Sequence, residues 1–471
     1  MLKRLLKTGP RQDSRIAVIG RHISTQSRLY ASSVTGSSDL KQYYKYLVVG
    51  AGNAAGYACK EFVAQKIPKD QVAVIGMEPV APYERPALTK AFLHPPSAKV
   101  RARLPGFHTS VGGGGERQTV EWYAENGIAL SLGTQVTEID ATKKIAVINN
   151  NQQVSFDKLL LATGTRAVTP EDIGLKGGSL GNVHTIRSEA DGMNLVTSLE
   201  KGNFGKVVII GGGYIGMETA AALIGWGLDV TMVFPENQLM ERLFPKAIAD
   251  WVENEFKTRK INMLKGATVS ELLGTNGKVS SLKLSDGTTL DVDVVVVGIG
   301  ARPNTELLRG QVDLAQDGGL LVDSKMLSLS NPNVYAIGDI AAFPHDGGHS
   351  RFEHVDNCRK SASHAVRSMI GEQVGAYQYL PYFYSRLFEY TDTPLIFQFY
   401  GRHGKDLSVV PFGDGKSRQG ALWIDRERSV KGALLTNGTK ENFEELQEAA
   451  RTHPKLSDDN SIKTIIPSWD A

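Results

Sequence analysis

The stretch Tyr46-Leu47-Val48-Val49-Gly50-Ala51-Gly52-Asn53-Ala54-Ala55-Gly56 decides the fold class. Its apolar start reads as a buried strand, the glycines as a tight turn, and the residues up to about Gln65 as a helix. A glycine turn between strand and helix aims backbone amides at a pyrophosphate lying on the positive helix end. Gly50 permits the turn, Gly52 the close approach of a phosphate, and Ala55 with Gly56 the packing of helix on strand. The next strand, Val72-Ala73-Val74-Ile75, ends near Glu78, an acid placed to accept hydrogen bonds from ribose hydroxyls. The unit then returns. Val207-Val208-Ile209-Ile210 leads into Gly211-Gly212-Gly213-Tyr214-Ile215-Gly216-Met217-Glu218, a helix to about Gly225, the strand Val230-Thr231-Met232-Val233 and the acid Glu236.

Working outward, Lys158-Leu159-Leu160-Leu161 reads as a strand ending in Ala162-Thr163-Gly164. Val294-Val295-Val296-Val297-Gly298-Ile299-Gly300 and Val334-Tyr335-Ala336-Ile337-Gly338-Asp339 follow the second unit. Alternating strands and helices of this kind predict an α/β fold with two Rossmann-like domains. From Tyr377 the composition turns aromatic and the alternation fades, which predicts a C-terminal α+β domain. The expected division is a leader over 1–40, a first dinucleotide domain over 41–187 resumed at 326–376, a second over 188–325, and the C-terminal domain over 377–471. The last fifteen residues read as a polar, frayed tail.

Composition fits this organisation. The chain has 471 residues, 41% hydrophobic and 22% charged, which excludes a disordered or collagen-like protein. Its 49 glycines exceed the ordinary share, as folds with close backbone approach require. No run of about 18 apolar residues is present, so no membrane-spanning helix is expected. The formal charge is +3, from 53 basic and 50 acidic residues. Residues 1–40 hold seven of those bases (Lys3, Arg4, Lys7, Arg11, Arg15, Arg21, Arg28) but two acids, Asp13 and Asp39. Arg-rich, Ser-rich and acid-poor is the composition of an organelle transit peptide, mitochondrial or chloroplast. Without it, 46 bases face 48 acids, and a body of net −2 does not suit nucleic acid.

Two dinucleotide sites suggest FAD paired with a nicotinamide, since a flavin accepts hydride and passes on single electrons. Glu236 favours NADH over NADPH, because a carboxylate there repels a 2′-phosphate; Arg242 nearby weakens the exclusion. The two cysteines, Cys59 and Cys358, lie far apart in sequence and read as small buried side chains, not a redox pair. Electrons must then leave the flavin directly for an outside acceptor. No metal-ligand spacing is present.

The order of these motifs resembles the two-dinucleotide-domain flavoprotein reductases. Further segments resemble the monodehydroascorbate reductases of plants and algae. They are Ala81-Pro82-Tyr83-Glu84-Arg85-Pro86-Ala87-Leu88-Thr89-Lys90, Leu104-Pro105-Gly106-Phe107-His108 with Gly112 to Gly115, Glu353-His354-Val355-Asp356, and Leu380-Pro381-Tyr382-Phe383-Tyr384-Ser385-Arg386. The resemblance implies that Gly50, Ala51, Gly52, Asn53, Ala54, Glu78, Arg85, Lys90 and Asp339 hold FAD, with Val136 and Arg187 as adenine-side or phosphate-side contacts. It implies NADH contacts at Gly211, Gly212, Gly213, Tyr214, Ile215, Gly216, Met217, Glu218, Glu236, Arg242 and Gly300. Glu353, His354 and Val355 are placed where the nicotinamide faces the flavin, and His354 is given no proton-transfer role. Arg359 would hold the anionic monodehydroascorbate radical, and Tyr384 would stack over it. Cys358 stands where the family pattern suggests a small residue such as Ala. A monomer is expected. Two other readings remain: an NADH-dependent ferredoxin or rubredoxin reductase, and a flavoprotein of the apoptosis-inducing-factor type with a binding role.

Overall fold

The computed structural model describes residues 40–95, 117–149 and 151–469. The leader and the Leu104–Gly115 segment lie outside the described residues.

Strand Tyr43–Val49 sits in the middle of the first sheet, and its last four residues are all buried because both sheet faces are covered. Val72–Ile75 and then Ile128–Ser131 extend the sheet on one side, all in parallel. Gln153–Leu161 lies on the other side and serves two partners along its length. Its start pairs antiparallel with Ile145–Ile148, and its end pairs parallel with Val334–Ala336. The chain therefore returns to this sheet, through Val334–Ala336, after building the second one.

The second sheet is parallel throughout, in the order Ile261–Lys265, Asp229–Phe234, Lys206–Ile210, Val294–Val297, Val183–Thr185. Every residue of the Val294–Val297 run is buried, which is why it carries no polar alternation. The edge strand Val183–Thr185 precedes the expected boundary at 188; being short and only half-buried, it gives no strand signal of its own. An antiparallel ribbon, Thr165–Ala167 with Ala301–Pro303, ties the ends of the two sheets together. Among the described residues no helix is long and apolar enough to cross a membrane.

The C-terminal portion is a five-stranded antiparallel sheet with the helix Lys440–Thr452 against it. The aromatics that marked it in sequence make its seam with the second dinucleotide unit. Phe397 stacks on Phe244 at 5.4 Å, and Phe388 meets Phe256 edge-on at 5.5 Å. The tail does not fray as expected. Ile462, Ile465, Ile466 and Trp469 are buried, with Trp469 edge-on to Phe412 at 5.1 Å. Four large apolar side chains spaced among polar residues suffice to dock the segment.

Candidate active site

The first glycine turn has the geometry its sequence requires. Gly50 adopts φ +106°, and a Cβ there would lie 2.3 Å from the Ala162 carbonyl oxygen. Gly52 caps the helix Asn53–Ala64 in extended conformation. A Cβ on Gly52 would come within 3.4 Å of Arg85 Nη2, so a guanidinium faces the turn. A helix N-terminus, a bare backbone and a fixed cation together suit a dinucleotide pyrophosphate, so these residues fit FAD.

Glu78 ends this unit beside Arg85. It accepts from Arg85 Nη2 at 2.6 Å, Tyr83 Oη at 2.8 Å and the Glu189 amide at 3.1 Å. Burial pushes its carboxyl up, but Arg85 and the hydrogen bonds outweigh burial and leave it below its ordinary value. Val136 is buried close by, because the Gly133 amide donates to the Glu78 carbonyl and the Thr134 amide to that of Gly76. Arg187 bridges outward: its carbonyl accepts from Arg85 Nη1 at 2.5 Å, and its Nη2 donates to Asp339 at 2.9 Å. Asp339 reaches the turn through Gly338, whose Cβ position would be 3.0 Å from the Ala54 methyl and 3.2 Å from Cys358 Sγ. The Cys358 thiol donates to Asp339 Oδ1 at 3.5 Å, and its pKa is raised by burial and then by that carboxylate. Ala51 and Asn53 are buried in the same turn.

The second turn repeats the geometry. Gly211 has φ +128°, and a Cβ would lie 2.3 Å from the Gly298 carbonyl oxygen. Gly213 caps the helix Tyr214–Leu223, and Gly216 packs so closely on Gly211 that a Cβ would fall 2.2 Å from its carbonyl oxygen. Gly212 has no room for a Cβ against the Phe234 ring, while Gly300 turns the chain after Val294–Val297 at φ +122°. Ile215 packs toward Gly298 and Met217 is buried. Glu236 is half-buried at the end of Asp229–Phe234, its carbonyl accepting from the Gly266 amide at 3.0 Å. Arg242 is exposed on the loop beyond.

One ion pair links the two dinucleotide units, and two further groups join them to the C-terminal sheet. Lys90 Nζ lies 2.7 Å from the buried carboxylate of Glu218, which also accepts from Thr89 and Ser385. Tyr214 places its ring 6.0 Å from Phe383 and lies in the field of Glu353, which accepts from Arg351 Nη1 at 2.5 Å. His354 caps the helix Val355–Met369 by accepting from the Asp356 amide at 3.2 Å, and its ring meets Tyr382 edge-on at 4.8 Å. Burial, with Lys90 and Arg359 nearby, pushes the His354 imidazole down to about 4, so it is neutral at physiological pH.

Arg359 lies one turn into that helix. Its Nε donates to Tyr57 Oη at 3.0 Å and its Nη2 to Glu84 at 3.2 Å. Tyr384 stands on the separate strand Tyr382–Leu387, half-buried, with Arg386, Glu389 and Glu218 around its phenol. The expected pair thus sits on two elements, Val355–Met369 and Tyr382–Leu387. Sequence alone assigns no role to Glu84 or Tyr57. A signal was present, since Tyr57 follows Asn53 by one helical turn and shares its face.

The chain matches the Pyridine nucleotide-disulphide oxidoreductase family over residues 44–362 and the Monodehydroascorbate reductase 3-like C-terminal domain over 380–465. It is 41% identical to the chloroplastic/mitochondrial monodehydroascorbate reductase of Arabidopsis thaliana, covering 93% of this chain and 90% of that one. It is 41% identical to monodehydroascorbate reductase of Pisum sativum over 89% of this chain and 96% of that one. It is 43% identical to the peroxisomal monodehydroascorbate reductase 4 of Arabidopsis thaliana, over 88% and 84%. Among solved structures, a ferredoxin reductase from Rhodopseudomonas palustris superposes with TM-score 0.72 at 26% identity, over 84% of this chain and 91% of that one. With both glycine turns built as described, this chain belongs to the monodehydroascorbate reductases, within the pyridine nucleotide-disulphide oxidoreductases.

Proposed function

We propose that this protein oxidises NADH and reduces the monodehydroascorbate radical to ascorbate, with FAD on the first glycine turn and NADH on the second. One NADH and one proton convert two radical anions to two ascorbate anions and NAD⁺. Bound FAD supplies the conversion of one hydride into two single-electron deliveries. The chain's residues bind, orient and screen. Arg85, Arg187 and the Gly52 turn face the dinucleotide phosphates, while Glu78 and Asp339 accept from its hydroxyls. Lys90 and Glu218 fix the two turns relative to each other, and Glu236 selects NADH over NADPH by refusing a 2′-phosphate.

The observation that carries the substrate assignment is Arg359. It is a half-buried guanidinium paired with Glu84, and its chain neighbour Cys358 hydrogen-bonds Asp339, so a charged group stands next to the proposed flavin site. An anionic, planar radical suits such a group, with Tyr384 as an aromatic neighbour. Both cysteines are buried and unpaired, which supports direct electron delivery to a small acceptor and not to a protein disulfide. Replacing Arg359 by Ala removes one charge-assisted anchor. The radical concentration needed for half-maximal rate should rise about tenfold or more, with NADH reduction of the flavin unchanged. Equal loss in both half-reactions would remove Arg359 from the substrate site.

The composition of residues 1–40 supports an organellar leader, and relatives carry both chloroplastic/mitochondrial and peroxisomal names. Microscopy of a fluorescent fusion with and without those residues tests the address.

A further inference from the structure

We propose that Tyr57 and Glu84 are positioning residues for Arg359, holding its guanidinium so that Nη1 is presented to the substrate anion. The inference rests on the assignment of Arg359 to the radical site. Three bonds define the clamp. Arg359 Nε donates to Tyr57 Oη at 3.0 Å, Arg359 Nη2 donates to Glu84 Oε1 at 3.2 Å, and Tyr57 Oη itself donates to the same Glu84 oxygen. The guanidinium also lies over the Tyr57 ring, 5.3 Å from its centroid. The other Glu84 oxygen is occupied as well, accepting from Asn53 Nδ2 at 2.7 Å. Asn53 is in turn fixed because its Oδ1 accepts from the Arg85 amide at 3.1 Å.

A free arginine side chain has many rotamers, and holding it at an exposed site has an entropic cost. Here that cost is met before substrate arrives. The planar fork spends its Nε edge on Tyr57 and Glu84 and keeps Nη1 for an incoming oxygen pair. The anchor is rigid because Asn53 is the first residue of the helix opened by the glycine turn. The turn proposed to hold the cofactor phosphates therefore also sets where the substrate arginine sits. Burial and the neighbouring Glu84 carboxylate both raise the Tyr57 phenol pKa, so it stays protonated and can donate to Glu84 while accepting from Arg359.

The test uses the FAD-loaded full-length enzyme and the monodehydroascorbate radical itself. Tyr57→Phe keeps the ring and removes the hydroxyl. Its radical KM should rise roughly fivefold to tenfold, the size of one lost hydrogen bond to a charged group, with the rate of flavin reduction by NADH unchanged. In an Arg359→Ala background the same substitution should change KM no further. An independent, additive effect of Tyr57→Phe in that background would overturn the positioning role. If Arg359→Ala itself left KM unchanged, the substrate assignment would fail, and that result is separate from the clamp. Glu84→Gln gives a second reading, because it keeps the shape while removing the charge. A rise in KM supports an anchor; a fall would overturn it, showing Glu84 to be only a competitor for Arg359.

Discussion

His354 precedes the helix that carries Arg359, and two demands meet on its ring. As a cap it must accept from the Asp356 amide, which requires an unprotonated Nδ1. As a buried group between Lys90 and Arg359 it resists charging, with its pKa at about 4 against an ordinary 6.5. Because the folded value is the lower one, its contribution to stability is complete above pH 6.5 and is lost as pH falls toward 4. His354→Asn retains a capping acceptor without a titrating group, so melting temperature against pH should fall less steeply between those limits than for the parent. Parallel curves would show that other histidines carry the acid lability. At this scale sequence alone reached its limit. A cap can be read from a local pattern, but the partners of Arg359 lie 302 and 275 positions away. Helical spacing puts Tyr57 on the face of Asn53, but no local pattern says that Arg359 will meet Tyr57 and Glu84.

At the scale of elements the glycine turns were the legible part, for a physical reason. A positive φ and a missing Cβ are needed at one position of each turn, so the chemistry is written in consecutive residues. Gly211→Ala illustrates the constraint: its Cβ would be 2.3 Å from the Gly298 carbonyl oxygen, at φ +128°. Strain of about 1–3 kcal/mol in the turn should weaken NADH binding tenfold or more, while bound flavin per chain stays at the parent value. Titration of NADH into the oxidised holoprotein reads the first quantity, and flavin release on denaturation reads the second. Fully buried parallel strands such as Val294–Val297 were equally plain. The edge strand Val183–Thr185, the Thr165–Ala167 ribbon and the docked tail were not. Each is short, and each takes its conformation from a distant partner instead of its own pattern.

Across the whole molecule, the two dinucleotide units and the C-terminal sheet meet at Glu218. Its carboxylate, with 2% exposure, binds Lys90 from the first unit and Ser385 from the C-terminal sheet, while Glu218 itself belongs to the second. Burying a carboxylate is tolerable only while it is compensated. Lys90→Ala should therefore destabilise the fold by about 3 kcal/mol, measured by denaturant unfolding, and should loosen the relation between the two turns. The global charge has no comparable role: a body of net −2 does not attract an anion, so recognition of the radical falls to local groups, Arg359 foremost. Passage of electrons from NADH through bound flavin to the ascorbate radical, without a protein thiol, is what the proposed function requires. An anaerobic titration of the holoprotein tests it most directly, following the flavin spectrum while NADH and then the radical are added. One equivalent of NADH should bleach the flavin and two equivalents of radical should restore its colour in full, unchanged in a protein whose cysteines have both been replaced by Ser. A flavin that NADH bleaches but the radical leaves bleached would contradict it.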